Sequence, residues 1–344
     1  MKKCIWGTLF LFIIVSCEQP EDEVKVIDTD IEADTLYGKL QFPVFAQLAA
    51  DIIEIDSLLL VSTPFEGGFF DLYTKTDGEI VYTFDRRGKG PDEYLQPYFY
   101  KGFDDRISLW DSSPKVFAEF ETIVESDKKI NFSTVSSIQN SEFGTHLFRL
   151  NDELLVSGVM LYEGMFALFD NEGEQIGNNF GETPIRDVEG QNNRFQGTIA
   201  VTNSGDMFVF GPFSLGYLCA YEIDENYQPT LKWEFYFDEP AYTLEEDRFS
   251  WDEDNHLQGV KDIRIVNDKI FVLYSGRSIS LPRNEPEGAF SDYLYVLNFE
   301  GKIMEKYRLE PDVLKLAVSE RDSAIYGITI DEDWYVVKYD FDSI

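Results

Sequence analysis

The chain has 344 residues, with 29 lysines and arginines against 64 aspartates and glutamates, and a formal net charge of −35. That balance excludes nucleic acid and anionic lipid as partners by charge, because phosphate binding needs a basic footprint. At 44% hydrophobic and 15% aromatic residues the chain can bury a large core, while its three cysteines cannot build a disulfide framework.

The N-terminus opens with a short cationic run, Met1-Lys2-Lys3, followed by the apolar stretch CIWGTLFLFIIV from Cys4 to Val15. That length suits a signal-peptide core and falls short of the ~20 residues a spanning helix needs. The run ends Ile14-Val15-Ser16-Cys17, which resembles the bacterial lipobox. The resemblance implies that residues 1–16 are removed and that Cys17 carries acyl chains; an ordinary secretory signal holding a cysteine is the alternative. Acyl chains anchor by burying methylenes, each contributing ~0.8 kcal/mol, so the membrane is an expected partner without any spanning helix.

Glu18-Gln19-Pro20-Glu21-Asp22-Glu23 follows, and no aromatic residue occurs before Tyr37. Residues 17–36 are therefore expected to be an acidic flexible tether, too poor in apolar surface to fold. The acidic start resembles the surface-export signal of Bacteroidetes-type lipoproteins, with a solvated spacer as the alternative. The expected location is thus the cell envelope, as an outer-membrane lipoprotein. Loss of residues 1–16 leaves 27 basic and 64 acidic residues, a net charge of −37. With Cys17 acylated, Cys219 in GYLCAYEI has no partner and reads as an inert buried thiol.

From Tyr37 onward the sequence repeats. A polar turn followed by an apolar burst recurs six times, as DSLLLVS at Asp56, DRISLWD at Asp105, DELLVSG at Asp152, GDMFVFG at Gly205, DKIFVLY at Asp268 and DSAIYGI at Asp322. Each burst has the length and the Val/Ile/Leu/Phe/Tyr content of a strand. Further strands follow around Asp77-Gly78, Glu172-Gly173 and Glu300-Gly301, where glycine supplies the positive φ of tight hairpins. No helical period runs beyond a few turns. Four short antiparallel strands per unit, six times over, predict an all-β chain folded as a six-bladed β-propeller across residues 37–344. After a turn at Glu310-Pro311-Asp312 the last unit offers only three strands, LKLAVS, AIYGITI and WYVVKYDF. The spare segment YGKLQFPVF (37–45) is expected to complete that blade and close the ring, hiding an edge. A β-sandwich is the runner-up, but leaves the spacing unexplained.

The lipobox, the six units, the GKGPDEY loop after the first blade and VLYSGR in the fifth together resemble the TolB-like six-bladed β-propeller lipoproteins of Bacteroidetes. The resemblance implies fold and location more than chemistry.

Propeller topology places the crossovers between blades, and the turns joining second to third strands, on one face. The loop DRRGKGPDEY (85–94), the turn GPFSLG (211–216), the insertion 276–291 and the long crossing 237–256 are expected there. Tyr242, Arg248, Phe249, Trp251, Tyr274, Arg277 and Phe290 can all reach that face. Aromatic rings with fixed polar groups suit a glycan or a peptide, while mutual packing of long loops is the bland alternative. The candidate ligand-binding residues are Arg86, Arg87, Lys89, Arg248, Trp251, Tyr274 and Arg277. The 85–94 loop lacks the Gly-Lys-Ser/Thr and helix of a phosphate-binding loop. It reads as a sharp exit from blade one, with Asp92 and Glu93 pairing with Arg86, Arg87 or Lys89, or as a backbone anion nest.

Catalytic chemistry has little to draw on. The two histidines, His146 and His256, come with no Gly-x-Ser-x-Gly elbow, and no catalytic residue is assigned. Two histidines and one free cysteine cannot fill a zinc site, and the acidic clusters WDEDNH (251–256) and DED (331–333) lack calcium-loop spacing. No metal or cofactor is expected. The functional expectation is a lipid-anchored binding or scaffold module for a glycan, a peptide or an envelope protein. The alternative is a polysaccharide hydrolase or lyase using funnel carboxylates.

Overall fold

A computed structural model describes residues 25–29, 31–64, 68–90, 93–103, 106–124, 130–139, 146–159, 163–188, 192–245, 248–281 and 286–341. Every apolar burst of the repeat is the second strand of a blade built from four antiparallel strands. Blade one comprises Asp51–Ile55, Leu58–Ser62, Phe70–Thr74 and Ile80–Phe84. Blade two comprises Pro97–Lys101, Ile107–Asp111, Val116–Val124 and Ile130–Gln139. Leu147–Arg149, Leu155–Gly158, Phe166–Phe169 and Gln175–Phe180 make blade three. Blade four is Gly197–Val201, Met207–Pro212, Tyr217–Ile223 and Pro229–Tyr236. Blade five is Val260–Val266, Lys269–Tyr274, Ser291–Leu297 and Ile303–Val313. Blade six takes Leu316–Ser319, Ala324–Ile330 and Trp334–Asp340, and its fourth strand is Lys39–Val44 from the other end of the chain. The only α-helix among the described residues is Pro286–Ala289, and no described helix is long and apolar enough to cross a membrane.

The second strands are the most apolar because each lies inside its blade, with neighbouring blades covering both faces; Leu58–Ser62 and Ile107–Asp111 are buried at every position. The core is therefore a ring of wedges between blades. Phe70 and Phe84 of blade one stack at 4.9 Å and meet Phe99 of blade two edge-on. Phe166 of blade three packs edge-on against Phe208 and Phe210 of blade four. Burying a side chain of this size contributes ~1.5–3 kcal/mol, so the aromatic content of the sequence is spent on the blade interfaces. Gly78, Gly173 and Gly301 all take positive φ, the left-handed geometry that the hairpins between third and fourth strands require.

Two expectations are corrected. Residues 17–36 are not a free tether throughout: Val26 bridges to Tyr236, and Asp34–Tyr37 adds in parallel to the outer strand of blade five. Lys306 also donates to the Thr29 carbonyl, so the edge of blade five supplies hydrogen bonds that composition does not reveal. One extended run thus lies on blade five as far as Tyr37 and on blade six from Lys39. Gly38 sits at the switch, where an added Cβ would lie 2.4 Å from Val337 Cγ2. The second correction concerns Glu310-Pro311-Asp312, which continues the outer strand of blade five rather than turning. The signal segment 1–16 and Cys17 lie outside the described residues.

Candidate functional site

The first strands line the axis, and their ends enclose a central cavity of about 590 Å³. It opens on the face that carries the turns between first and second strands, which is opposite the crossover face favoured by the sequence. Asp56 and Asn267 both hold positive φ in those tight turns, which brings five inner strands to a common rim. Glu54, Lys101, Arg106, Arg264, Glu320 and Arg321 supply charge to the wall and rim, with Asn203 and Asn267 as neutral amides.

The deep charges are built into pairs. Arg264 of blade five reaches Asp51 of blade one at 2.7 Å and Asp262 of its own strand at 3.0 Å, and its Nε donates to the Leu316 carbonyl of blade six at 2.7 Å. Burial works against the Arg264 charge, but Asp262 and Asp51 outweigh it and hold its pKa above the usual guanidinium value. Asp262 also accepts from the Leu316 N–H at 3.1 Å. A second cluster centres on Lys75, which lies 2.7 Å from both Glu54 and Asp322 and donates to Ser319. Burial works against the Asp322 charge, but the Lys75 hydrogen bond and charge hold its carboxyl below the usual range. Both clusters sit where blade six meets blade one, so the wall of the cavity and the closure of the ring are one structure.

The expected site residues do not converge, and none of them lines this cavity. Arg86, Arg87 and Lys89 stand on the crossover face beside blade one. Arg87 donates to the Pro64 carbonyl at 2.8 Å and lies 4.2 Å over the Phe69 ring, while Arg86 lies 5.3 Å over Phe84. Lys89 is exposed. Glu93 bends back so that Oε2 accepts from the Gly90 N–H at 2.7 Å. An added Cβ at Gly88 would lie 1.9 Å from that same oxygen. The Glu93 carboxylate thus occupies the space beside both glycines, where a Cβ at Gly88 or Gly90 would meet it, which accounts for the glycines; Pro91 and Asp92 lie outside the described residues.

The other candidates pack or pair elsewhere on the ring. The crossing 237–256 contains the hairpin Tyr242–Glu245 and Arg248–Trp251, which explains the widest repeat spacing. Arg248 is exposed, whereas Trp251 stacks on His256 at 3.8 Å and meets Phe195 and Phe249 edge-on. Tyr274 is buried against Phe237 and Tyr295, and Arg277 is tied to Asp312 at 2.7 Å and Asp292 at 3.8 Å. The long loops also hold each other, since Gly259 N–H donates to the Phe213 carbonyl. His256 is fixed between the Ala241 N–H, which donates to Nδ1, and the Ser214 carbonyl, 2.6 Å from Nε2. Burial lowers the pKa of His146 to about 4, and neither histidine reaches the cavity. Cys219 is buried, and desolvation pushes its thiol up and away from nucleophilic use. Among the described residues no three His, Cys, Asp or Glu side chains group as a metal site.

The strand pairing defines a six-bladed β-propeller with an open cavity on the turn face. No family model matches the sequence, and no curated protein does. Among solved structures, the chain is similar to the computationally designed Ika8 protein at 10% identity and a TM-score of 0.42, over 87% of this chain and 99% of that one. It is also similar to Raptor of Chaetomium thermophilum at 10% identity and a TM-score of 0.47, over 90% of this chain and 29% of that one.

Proposed function

We propose that this chain is a lipid-anchored envelope protein of the TolB-like propeller kind, acting as a binding or scaffold module for an extracellular glycan, peptide or envelope partner. The observation that carries the reading is the open polar cavity on the axis, with a wall made rigid by ion pairs that span blades one, five and six. A site fixed in advance loses little freedom when it binds, which favours recognition. The carboxylates that brace the wall, Asp51, Asp262 and Glu54, are each held by a cation, which favours binding over proton-shuttling hydrolysis by these three groups.

The anchor follows from Cys17. The chain is already docked on the propeller at Lys25 and Val26, so the eight residues after Cys17 allow a reach of at most ~29 Å. The test is affinity capture of the native protein from intact envelopes, together with glycan and peptide arrays. A Cys17→Ser variant is expected to leave the membrane fraction. Capture of no partner and binding of no array component would sink the module reading.

A further inference from the structure

Two polar atoms on the deep wall of the cavity are fixed from behind and left open in front. Arg264 Nε donates to the Leu316 carbonyl at 2.7 Å, and Nη2 meets Asp51 at 2.7 Å, Asp262 at 3.0 Å and the Ile52 carbonyl at 3.2 Å. Nη1 takes no part in these contacts, has no partner among the described residues and stays accessible. Arg264 lines the cavity, whereas Asp51 and Asp262 do not, so the guanidinium presents a donor edge to the axis. Glu54, which also lines the cavity, is held in the same way. Its Oε1 accepts from Lys75 at 2.7 Å and from Ser319 at 3.0 Å. Oε2 has Lys101 at 3.8 Å, beyond hydrogen-bond distance, and no other partner among the described residues. Ile52, whose carbonyl Arg264 grips, is two residues from Glu54 on the inner strand of blade one, ~7 Å along it. A fixed donor and a fixed acceptor are thereby within reach of one small ligand.

The charges behind these two atoms are already matched. Asp51 and Asp262 answer Arg264, with Lys315 3.7 Å from Asp262, and Lys75 lies between Glu54 and Asp322. A ligand carboxylate would meet Glu54 and a ligand ammonium would meet Arg264, and neither cluster holds a spare counter-charge to offset desolvation. A hydroxyl accepts one hydrogen bond and donates another, so it satisfies an N–H and a carboxylate oxygen on the same wall without adding charge. We propose that the cavity binds a neutral polyhydroxyl ligand, a mono- or disaccharide, with Arg264 Nη1 donating to one ligand oxygen and Glu54 Oε2 accepting from a ligand hydroxyl. Both contacts involve an ionised partner, which strengthens a hydrogen bond. Ile55, Val201, Ile265 and Val318 supply apolar wall for the C–H faces of a sugar, and the exposed amides of Asn203 and Asn267 serve its outer hydroxyls. A volume of about 590 Å³ lies within the range of small-molecule sites and admits a disaccharide.

This assignment rests on the reading of the protein as a binding module, and the test separates the two. Calorimetric titration of the full chain in detergent uses glucose, galactose, mannose, maltose and lactose. At least one is expected to bind, and its uronate and amino-sugar counterparts to bind at least about tenfold more weakly. At least one monodeoxy analogue of the bound sugar is also expected to lose about tenfold or more, because a fixed polar atom is then left unpaired. Arg264→Lys keeps the charge between Asp51 and Asp262 but removes Nη1, and is expected to weaken the sugar by about tenfold or more. Asn203→Ala, an exposed change that spares the ion pairs, is expected to weaken it by about three- to tenfold, and decides the matter if Arg264→Lys does not fold by circular dichroism. Failure of all five sugars to bind overturns the proposal. So does equal affinity for the charged counterparts, or indifference of binding to every deoxy analogue and to the folded variants. If envelope capture or the arrays still yield a protein or a charged ligand, the module reading stands and only the neutral-sugar assignment falls.

Discussion

Arg149 of blade three and Glu119 of blade two form a two-pronged pair inside the protein, with Nε 3.0 Å from Oε1 and Nη2 2.7 Å from Oε2. Both side chains are almost wholly shielded, at 4% and 2% exposure, and Arg149 Nη1 donates to Asn171 Oδ1 at 2.6 Å. Removing one partner strands the other charge without water. Arg149→Met or Glu119→Leu alone is expected to destabilise by ~3–5 kcal/mol in urea denaturation. The double variant exchanges the pair for apolar volume and is expected to recover most of that loss. Equal damage from single and double variants would show that shape, not stranded charge, sets the effect.

Asp238 supplies a pH dependence. It accepts from the Tyr274 hydroxyl through Oδ1, while Oδ2 is buried with no partner among the described residues. Burial raises its pKa from 3.8 to about 7. A raised folded-state value means its contribution to stability is full below about pH 4 and is lost as pH rises towards 7. The loss is on the order of 4 kcal/mol if the whole shift is expressed. Asp238→Asn keeps the shape and cannot ionise. The stability of the native chain relative to this variant is expected to fall between pH 4 and 7 and then level off. A difference that is flat across that range would show the carboxyl to be ionised throughout.

How legible this was in the sequence depended on the range of the interaction. The second strands announced themselves because both their faces are buried, so Leu58–Ser62 and Ala324–Ile330 read as unbroken apolar runs. Glycines such as Gly78 and Gly301 marked hairpins because positive φ is a local demand. The closing strand is legible because the last unit offers three strands where a blade needs four. The cavity was not legible, since its wall depends on partners far apart in the chain: Lys75 meets Asp322 across 247 positions, and Arg264 meets Asp51 across 213. A faint signal existed in the charged residues inside strand-like runs, as in DIIEI (51–55) and VKDIRIV (260–266). The loops of the crossover face drew the eye by length and aromatic content, yet those features serve packing of Trp251 on His256 and of Tyr274 on Phe237. Residues 25–37 misled for the opposite reason. Their polar composition hides that docking uses backbone hydrogen bonds, such as Ile27 N–H to the Tyr236 carbonyl.

Gly38 should tolerate nothing larger. An added Cβ meets Val337 Cγ2 at 2.4 Å and Tyr339 Cε1 at 2.7 Å, and both neighbours are wholly buried. Gly38→Ala is expected to cost ~1–3 kcal/mol by thermal or urea unfolding, the range for overpacking a core. Leu40→Ala, two residues on at a residue 44% exposed, is the control and should change little. A neutral Gly38→Ala would mean that the strand shifts outward at no cost.

The N-terminal run joins two edges of different importance, and truncation should separate them. Removing residues up to 38 takes away Asp34–Tyr37, an extra fifth strand whose loss leaves blade five with its four ordinary strands. Removing residues up to 45 also takes Lys39–Val44, which is the fourth strand of blade six and pairs from Lys39↔Lys338 to Val44↔Trp334. That deletion bares the Trp334–Asp340 strand as an open edge and strips Phe42 and Val44 from the core between blades six and one. Unpaired strand edges recruit other chains. The shorter truncation is therefore expected to stay monodisperse with a small loss of stability. The longer one should aggregate in size-exclusion chromatography with light scattering, and added peptide 37–45 should partly restore the dispersed form. If both truncations behaved alike, the ring would not depend on Lys39–Val44 for its closure, and the Arg264 and Lys75 ion-pair clusters would be enough to hold blade six against blade one.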